Sequence, residues 1–571
     1  IKLPAILRDS MILQRDKPAR LWGWASAHEK IAVYFNKKKY KSKANAEGQW
    51  EIFLPPTKAG GPYSIELVGK NKIQLKDILF GEVWFCSGQS NMVHQLDIHD
   101  VTYAKEIAEA NDADIRQFWI PTLPNLHAPQ NDIAQGYWKP AVGKDVRPFS
   151  AVAYFFAKKI KARYNVPVGI INAIVGGSPI NAWISESGLK DLSEYSTTIH
   201  ENKNPELVAK KSVTTPAPTF IDQGIEEQWF STTYIPKGWR SIYIPGYWKD
   251  QGIKDFTGIV WYRKNIQVSE SMANQPARLH MGRIVDADEV YINGKRIGST
   301  GYQYPQRRYT IPAGVLHAGS NLVVIKVTGY GQQAGFVPDK SYVLVAGKDT
   351  VDMHGAWKYK VGTVFPKTTH TSGFNKQNQP TALFNGMVAP FTRYSIKGIC
   401  WYQGESDAGQ PEKYLKLTQQ LISDWRTQFQ NDTLPFYYVQ LPGFMEFQYR
   451  PSESNWAKLR EAQLQALTIP HTGMAVVIDC GEWNDIHPEN KKDVGERLAL
   501  QALRKTYGEN IVCDGPLFDT AIIINNTIEI QFHLQGSALR TFDGEPLAEF
   551  AIAGADKKFV WAKAKIENNK V

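Results

Sequence analysis

Val83-Trp-Phe-Cys-Ser-Gly-Gln-Ser-Asn-Met92 passes directly from an apolar run to a glycine-containing turn that carries a serine. A run that is apolar at every position is buried on both faces, as strands of a parallel sheet between helices are. In such sheets ligands bind just beyond the strands' carboxyl ends, which is where Ser90 falls. The same rhythm returns in Val168-Gly-Ile-Ile-Asn-Ala-Ile-Val175, Gly398-Ile-Cys-Trp-Tyr402, Pro435-Phe-Tyr-Tyr-Val-Gln440 and Met474-Ala-Val-Val-Ile-Asp479. Between these runs apolar residues recur at helical spacing: Tyr414, Leu417, Leu421 and Trp425, then Trp456, Leu459, Ala462 and Ala466, then Val494, Leu498 and Ala502. Strand and helix in alternation predict an α/β domain built on a parallel sheet.

Outward from this core the pattern turns to β. Residues 1–78 alternate apolar and polar with period two, as in Gln49-Trp-Glu-Ile-Phe-Leu, and predict a small N-terminal β-sandwich. The α/β rhythm occupies 79–183 and 371–514 and is interrupted by 184–370. That interval is rich in Gly, Pro and aromatics and carries Asn293-Gly294 between two strand patterns, a type I′ hairpin signal. An all-β domain inserted into a loop is expected there, with Trp239, Trp248 and Trp261 read as core aromatics and a sugar-stacking surface as the alternative. A β segment, 515–571, follows.

With 571 residues and 43% apolar composition, the chain divides into several domains. Its 66 basic and 56 acidic residues leave a net charge of +10 without any long run of like charge, which argues against a nucleic-acid partner. The densest basic cluster, Lys37 to Lys43, alternates as a solvated strand edge does. No apolar run reaches 18 residues, so no helical membrane span is predicted. Four cysteines in so long a chain do not make a disulfide framework. The chain begins at Ile1 without methionine, and a mature exported form is the expectation.

Four segments sit where the parallel sheet would place its chemistry. Ser90 lies in the turn after the first apolar run, and Gly176-Gly177 closes the second, where paired glycines admit a ligand close to backbone N–H groups. Trp401-Tyr-Gln403-Gly-Glu405-Ser-Asp407 puts a carboxamide and two carboxylates at a strand end, and Asn484-Asp485-Ile-His487-Pro pairs a histidine with an acid. Serine, histidine and acid beside amide donors are the equipment of acyl transfer. Glu405 and Asp407 are expected to hold backbone, Asn91 to tie loops together, and His94 to be an early-helix residue.

Ser87-Gly-Gln-Ser-Asn-Met, Gly176-Gly-Ser-Pro-Ile, Trp401-Tyr-Gln-Gly-Glu-Ser and Asp485-Ile-His-Pro resemble, in order, the motif blocks of the SGNH hydrolases. The version is that of sialate O-acetylesterases and related carbohydrate acetylesterases, and the resemblance spans 79–183 and 375–510. Trp261-Tyr-Arg-Lys, Asp288-Glu-Val-Tyr-Ile-Asn-Gly and Arg308-Tyr-Thr-Ile-Pro look like the galactose-binding-like jelly roll of some glycosidases and multi-domain acetylesterases. The resemblance implies a flavodoxin-like three-layer α/β/α fold and an acetylated carbohydrate substrate, with neither metal nor cofactor. It makes Ser90 the nucleophile and His487 the general base. Ser90 N–H, Gly177 N–H and the Gln403 side-chain amide would form the oxyanion hole. The wider superfamily carries its acid three residues before the histidine, where Asn484 stands here. Asp485 is therefore the choice for orienting the imidazole, with Glu482 or a backbone carbonyl as alternatives. Sialic acid and a plant polysaccharide such as xyloglucan or xylan both stand open as the acetylated sugar. A non-catalytic carbohydrate-binding protein is the reading from another class.

Overall fold

The computed structural model describes residues 1–213, 220–331, 333–366 and 373–571. It divides the chain into one unit of 1–213, 374–482 and 487–571 and a second of 214–373 with 483–486.

The first unit is organised by a single long strand, β1 (Lys72–Gly88). Its first half alternates and pairs with the antiparallel strand Gly60–Val68, which brings in the N-terminal strands. From Ile78 to Gly88 every residue is buried. Successive side chains of a strand point to opposite faces. Trp84 accordingly packs edge-on against Phe156 of α2 (Ala151–Tyr164), centroids 4.9 Å apart, while Phe85 meets Trp425 of α3 (Pro411–Gln428) at 5.5 Å. Helices cover both faces of this strand, which is why its sequence is apolar at every position.

Around β1 the sheet adds β2 (Asn111–Trp119), β3 (Trp138–Val142), β4 (Val168–Ile174), β5 (Gly398–Tyr402), β6 (Phe436–Val439) and β7 (Thr472–Ala475). The order across the sheet is β7-β6-β5-β1-β4-β2-β3. All neighbours are parallel except β2 and β3, so the sheet is mixed. The five strands β4-β1-β5-β6-β7 run in the 2-1-3-4-5 order of a flavodoxin sheet, with the pair β2 and β3 added at the β4 edge. Here β1 lies between β4 and β5. The chain leaves β1 toward one edge and returns to its other side, which makes the end of β1 the point where strand order reverses. Helices α4 (Asn455–Gln465) and α5 (Lys492–Lys505) complete the unit, α4 packing with α3 and α5 with α2.

The basic cluster forms the edge strand Lys38–Lys43, paired on one side only and with its lysines in solvent. Residues 184–213, expected within the insert, instead form short helices of the first unit. Asp424 of α3 fixes them by accepting from Ser185 N–H (2.8 Å) and Ser185 Oγ (2.6 Å). The expected boundary at 370 lies outside the described residues. After 515 the chain makes a hairpin of Leu517–Ile524 with Thr527–His533.

The second unit holds antiparallel sheets of six and four strands around a core that includes Trp248, Tyr262 and Phe336. Asn293 (φ 50°) and Gly294 (φ 81°) make the expected turn between Ala287–Ile292 and Lys295–Thr300. Trp248 and Trp261 are fully buried.

Gly88, at φ 136°, lies so close to β5 that a Cβ would stand 2.1 Å from the carbonyl oxygen of Tyr402. Gly88→Ala should therefore destabilise the first unit by roughly 3 kcal/mol through overpacking and backbone strain. Gly409→Ala, with nothing within 4 Å of its Cβ position, should cost about 0.5 kcal/mol or less. Thermal unfolding of the two variants beside wild type measures the difference.

Candidate active site

The register of the sheet aligns three strand ends. Ile174 of β4 and Tyr402 of β5 both sit opposite Gly88 of β1. The ladder continues past them: Val175 N–H donates to Gly88 O (3.1 Å) and Gln89 N–H to Tyr402 O (2.9 Å). Immediately beyond lie Ser90, the Gly176-Gly177 turn and Gln403, so the sheet gathers three of the sequence-derived candidates at one edge. Ser90 opens the short helix α1 (Ser90–Val93) and is partly exposed. A Cβ on Gly176 would stand 3.7 Å from that of Ser90, and Gly177 has φ 68°, a conformation that favours glycine.

Among the described residues, the backbone N–H groups of Ser90 and Gly177 donate to no protein acceptor, and neither does the Ser90 hydroxyl. Two unspent donors beside an unengaged hydroxyl fit an oxyanion site. Gln403 behaves otherwise. Its carboxamide is fully buried, Nε2 donates to Ser178 O (3.1 Å) and to Asp407 Oδ2, and Oε1 accepts from Tyr414 (3.0 Å). Both amide hydrogens are spent inside the protein. The side chain thus braces the glycine loop against its own, as a buried amide that satisfies backbone at the strand end.

The serine turn is further held by polar side chains. Gln89 Oε1 accepts from Ser406 N–H (3.2 Å), and Asp407 accepts from Ile180 N–H (3.0 Å) as well as from Gln403. Asn91, next to the serine, donates to Glu405 and accepts from the buried Lys491 ammonium. Glu405, Asp407 and Asn91 therefore tie loops. Desolvation pushes the Glu405 carboxyl up to about 7 and that of Asp407 up to about 6.

His487, 7% exposed, stacks on His94 with centroids 4.4 Å apart and planes at 24°. His94 is itself fixed to Ser90, its N–H donating to Ser90 O (2.9 Å). Behind it runs a chain: His94 Nδ1 to His99 Nε2 (3.0 Å), and His99 Nδ1 to Glu489 Oε2 (3.1 Å). A carboxylate only accepts, so with neutral rings the chain assigns the proton to Nδ1 of both His99 and His94. Burial holds His94 well below the usual imidazole range, with His487 and Lys491 adding to the effect. A neutral ring therefore supports the candidate base. Sequence reading took His94 for an early-helix residue; its spacing of four from Ser90 was the available signal.

Asp485 falls in the second unit. It is 2% exposed and bound there by Arg283 (3.2 Å) and Lys340 (3.3 Å), and Arg283 also donates to Asn484 O (2.6 Å). Glu482, the alternative acid, accepts from Glu489 N–H (2.7 Å).

Removing the supporting ring should disorder the base without removing it: His94→Ala should lower kcat roughly tenfold or more with KM little changed, and His94→Phe should restore most of it. Steady-state kinetics on an aryl acetate reads both. The raised carboxyls hold more protons folded than unfolded between their ordinary range and pH about 7. Stability should be greatest at the acid end of that window and decline as pH rises through it. Denaturant unfolding from pH 5 to 8 should show the decline, and Glu405→Gln should reduce its part above pH 6.

Residues 367–504 match the family described as carbohydrate esterase, sialic acid-specific acetylesterase. Residues 259–321 match the galactose-binding domain of β-galactosidase. The sialate O-acetylesterase of Mus musculus is 22% identical over 576 residues, covering 93% of this chain and 80% of that protein. That of Homo sapiens is 27% identical over 223 residues, 33% of this chain and 40% of its own. A crystal structure of a carbohydrate acetylesterase from Xanthomonas citri is similar over 100% of this chain and 90% of that one, with TM-score 0.65 and 29% identity. The chain is a carbohydrate esterase that resembles the sialate O-acetylesterases along most of its length.

Proposed function

We propose that the protein removes O-acetyl groups from a carbohydrate through an acetyl-serine intermediate on an SGNH-type three-layer fold, with the second unit as a galactose-binding-like jelly roll. The observation that carries this reading is the edge where, among the described residues, Ser90 stands beside two unspent backbone donors while His487 rests on the ring of His94, whose backbone N–H is bonded to Ser90's own carbonyl. Ser90 Oγ attacks the acetyl carbonyl carbon as His487 takes the hydroxyl proton. The carbonyl oxygen becomes an oxyanion that Ser90 N–H and Gly177 N–H receive. Collapse breaks the bond to the sugar oxygen, which leaves with the proton from His487. Water, deprotonated by His487, then attacks the acetyl-serine and releases acetate and free Ser90.

Gln403 enters this scheme by holding the glycine loop in place. Asp485, two residues before His487 in the chain, is proposed as the acid that orients the imidazole. Its carboxylate is held by the cations Arg283 and Lys340.

Acetate release from acetylated sialoglycans and from acetylated xyloglucan or xylan tests the reaction and the sugar together. Wild type should release acetate from at least one, and Ser90→Ala should lose it. Absence of release from all of them, and from an aryl acetate, would overturn the reading in favour of a carbohydrate-binding protein. Asp485→Asn should lower kcat of the folded enzyme by roughly 10²-fold or more and, because it leaves Arg283 and Lys340 without their buried carboxylate, should also lower the thermal midpoint; activity of the folded variant that survives almost whole would leave Ser90 and His487 as a dyad.

A further inference from the structure

A second feature of the same sheet edge is a cavity of about 350 Å³ beside β2 and β3, lined among others by Gln95, Gln117, Trp119, Gln135, Tyr137 and Lys139. Its volume is at the low end for small-molecule pockets, about 300–1,000 Å³. Gln95 comes five residues after Ser90, just past α1, and its backbone bridges to Ser150. Trp119 closes the carboxyl end of β2, in register with Asn172 of β4. The cavity therefore lies along the edge that carries the nucleophile.

Its floor is rigid and its walls are unspent. Gln117 is buried, accepting from Ser150 N–H (3.1 Å) and Asn172 Nδ2 (2.8 Å) and donating to Pro148 O (3.3 Å). Gly136 lets the wall lie on the sheet, since a Cβ there would stand 2.1 Å from Phe118. One face of Tyr137 is taken by the Arg8 guanidinium, 4.4 Å from the ring centre. By contrast the carboxamides of Gln95 and Gln135, the Trp119 indole N–H and the Tyr137 hydroxyl have no protein hydrogen bond among the described residues. Lys139, the charged group of the lining, faces Asp145 at 3.6 Å.

We propose that this cavity is a subsite for a neutral pyranose ring in the chain that bears the acetylated residue. A pyranose offers an apolar C–H face to an indole and a rim of hydroxyls that both donate and accept, which carboxamides match with both functions. A lining without an unpaired charge selects against carboxylate or phosphate in this position. The inference rests on the proposed carbohydrate esterase reaction and names the part of the substrate beyond the ester.

Two measurements separate the subsite from the reaction. In kinetics, Trp119→Ala and Gln135→Ala should each lower the ratio of kcat/KM on an acetylated oligosaccharide to that on an aryl acetate, by about tenfold for the tryptophan. Gln135 is exposed, so its variant keeps the test meaningful if Trp119→Ala folds poorly. In saturation-transfer NMR, unacetylated xylotetraose or lactose should receive magnetisation from wild type and lose it in both variants. Transfer that depends on these residues without any sugar-ester turnover would keep the subsite and sink the reaction. Turnover with an unchanged ratio, and transfer that is absent from wild type or unaffected by either variant, would sink the subsite and keep the reaction.

Discussion

Two backbone hydrogen bonds, Val175 N–H to Gly88 O and Gln89 N–H to Tyr402 O, carry the sheet ladder past the end of β1 on both sides. Because β1 lies between β4 and β5, this is where strand order reverses, and three loops diverge from one point. The approach is so close that Gly88 cannot carry a side chain. Ser90, Gly177 and Gln403 inherit their mutual placement from backbone pairing. Rigid strands position reactive groups more precisely than loops alone do, and here the loops are also braced by Gln89, Gln403, Asp407 and Asn91.

The bracing has an electrostatic character of its own. Glu405 and Asp407 are carboxyls in a poorly solvated setting, and desolvation raises both. Lys491 is buried against Asn91. The His94 ring is kept neutral by burial while its Nδ1–H is committed to His99 and, through it, to Glu489. A base that gains a proton beside a neutral ring meets no opposing charge from that ring. In the proposed reaction, where His487 takes up a proton, the histidine chain therefore adds no like charge beside it.

Different features were legible at different levels. The strands could be read because burial on both faces forces an apolar run, as at Val83 to Cys86, and the hairpin because Asn293-Gly294 supplies two positive φ values. The serine, glycine and histidine motifs were visible because their residue types are chemically specific. The assignment of 184–213 to the insert missed the polar anchor Asp424, which is distant in sequence from Ser185. For His94 the sequence offers an early-helix role and not the support of His487, because that stacking spans almost 400 residues.

By itself, then, the sequence determined the alternation of strands and helices, the positions of the turns, and which residues have the chemistry of acyl transfer. These follow from local rules: side-chain period, backbone preference and functional-group identity. Tertiary structure alone decided how those groups are used. It spent both hydrogens of Gln403 inside the protein, left the N–H groups of Ser90 and Gly177 without acceptors among the described residues, set His94 against His487, and paired Asp485 with Arg283 and Lys340. The physical reason is that a hydrogen bond or a stacked ring is a relation between two groups, and the partner's identity is set by strand order and register.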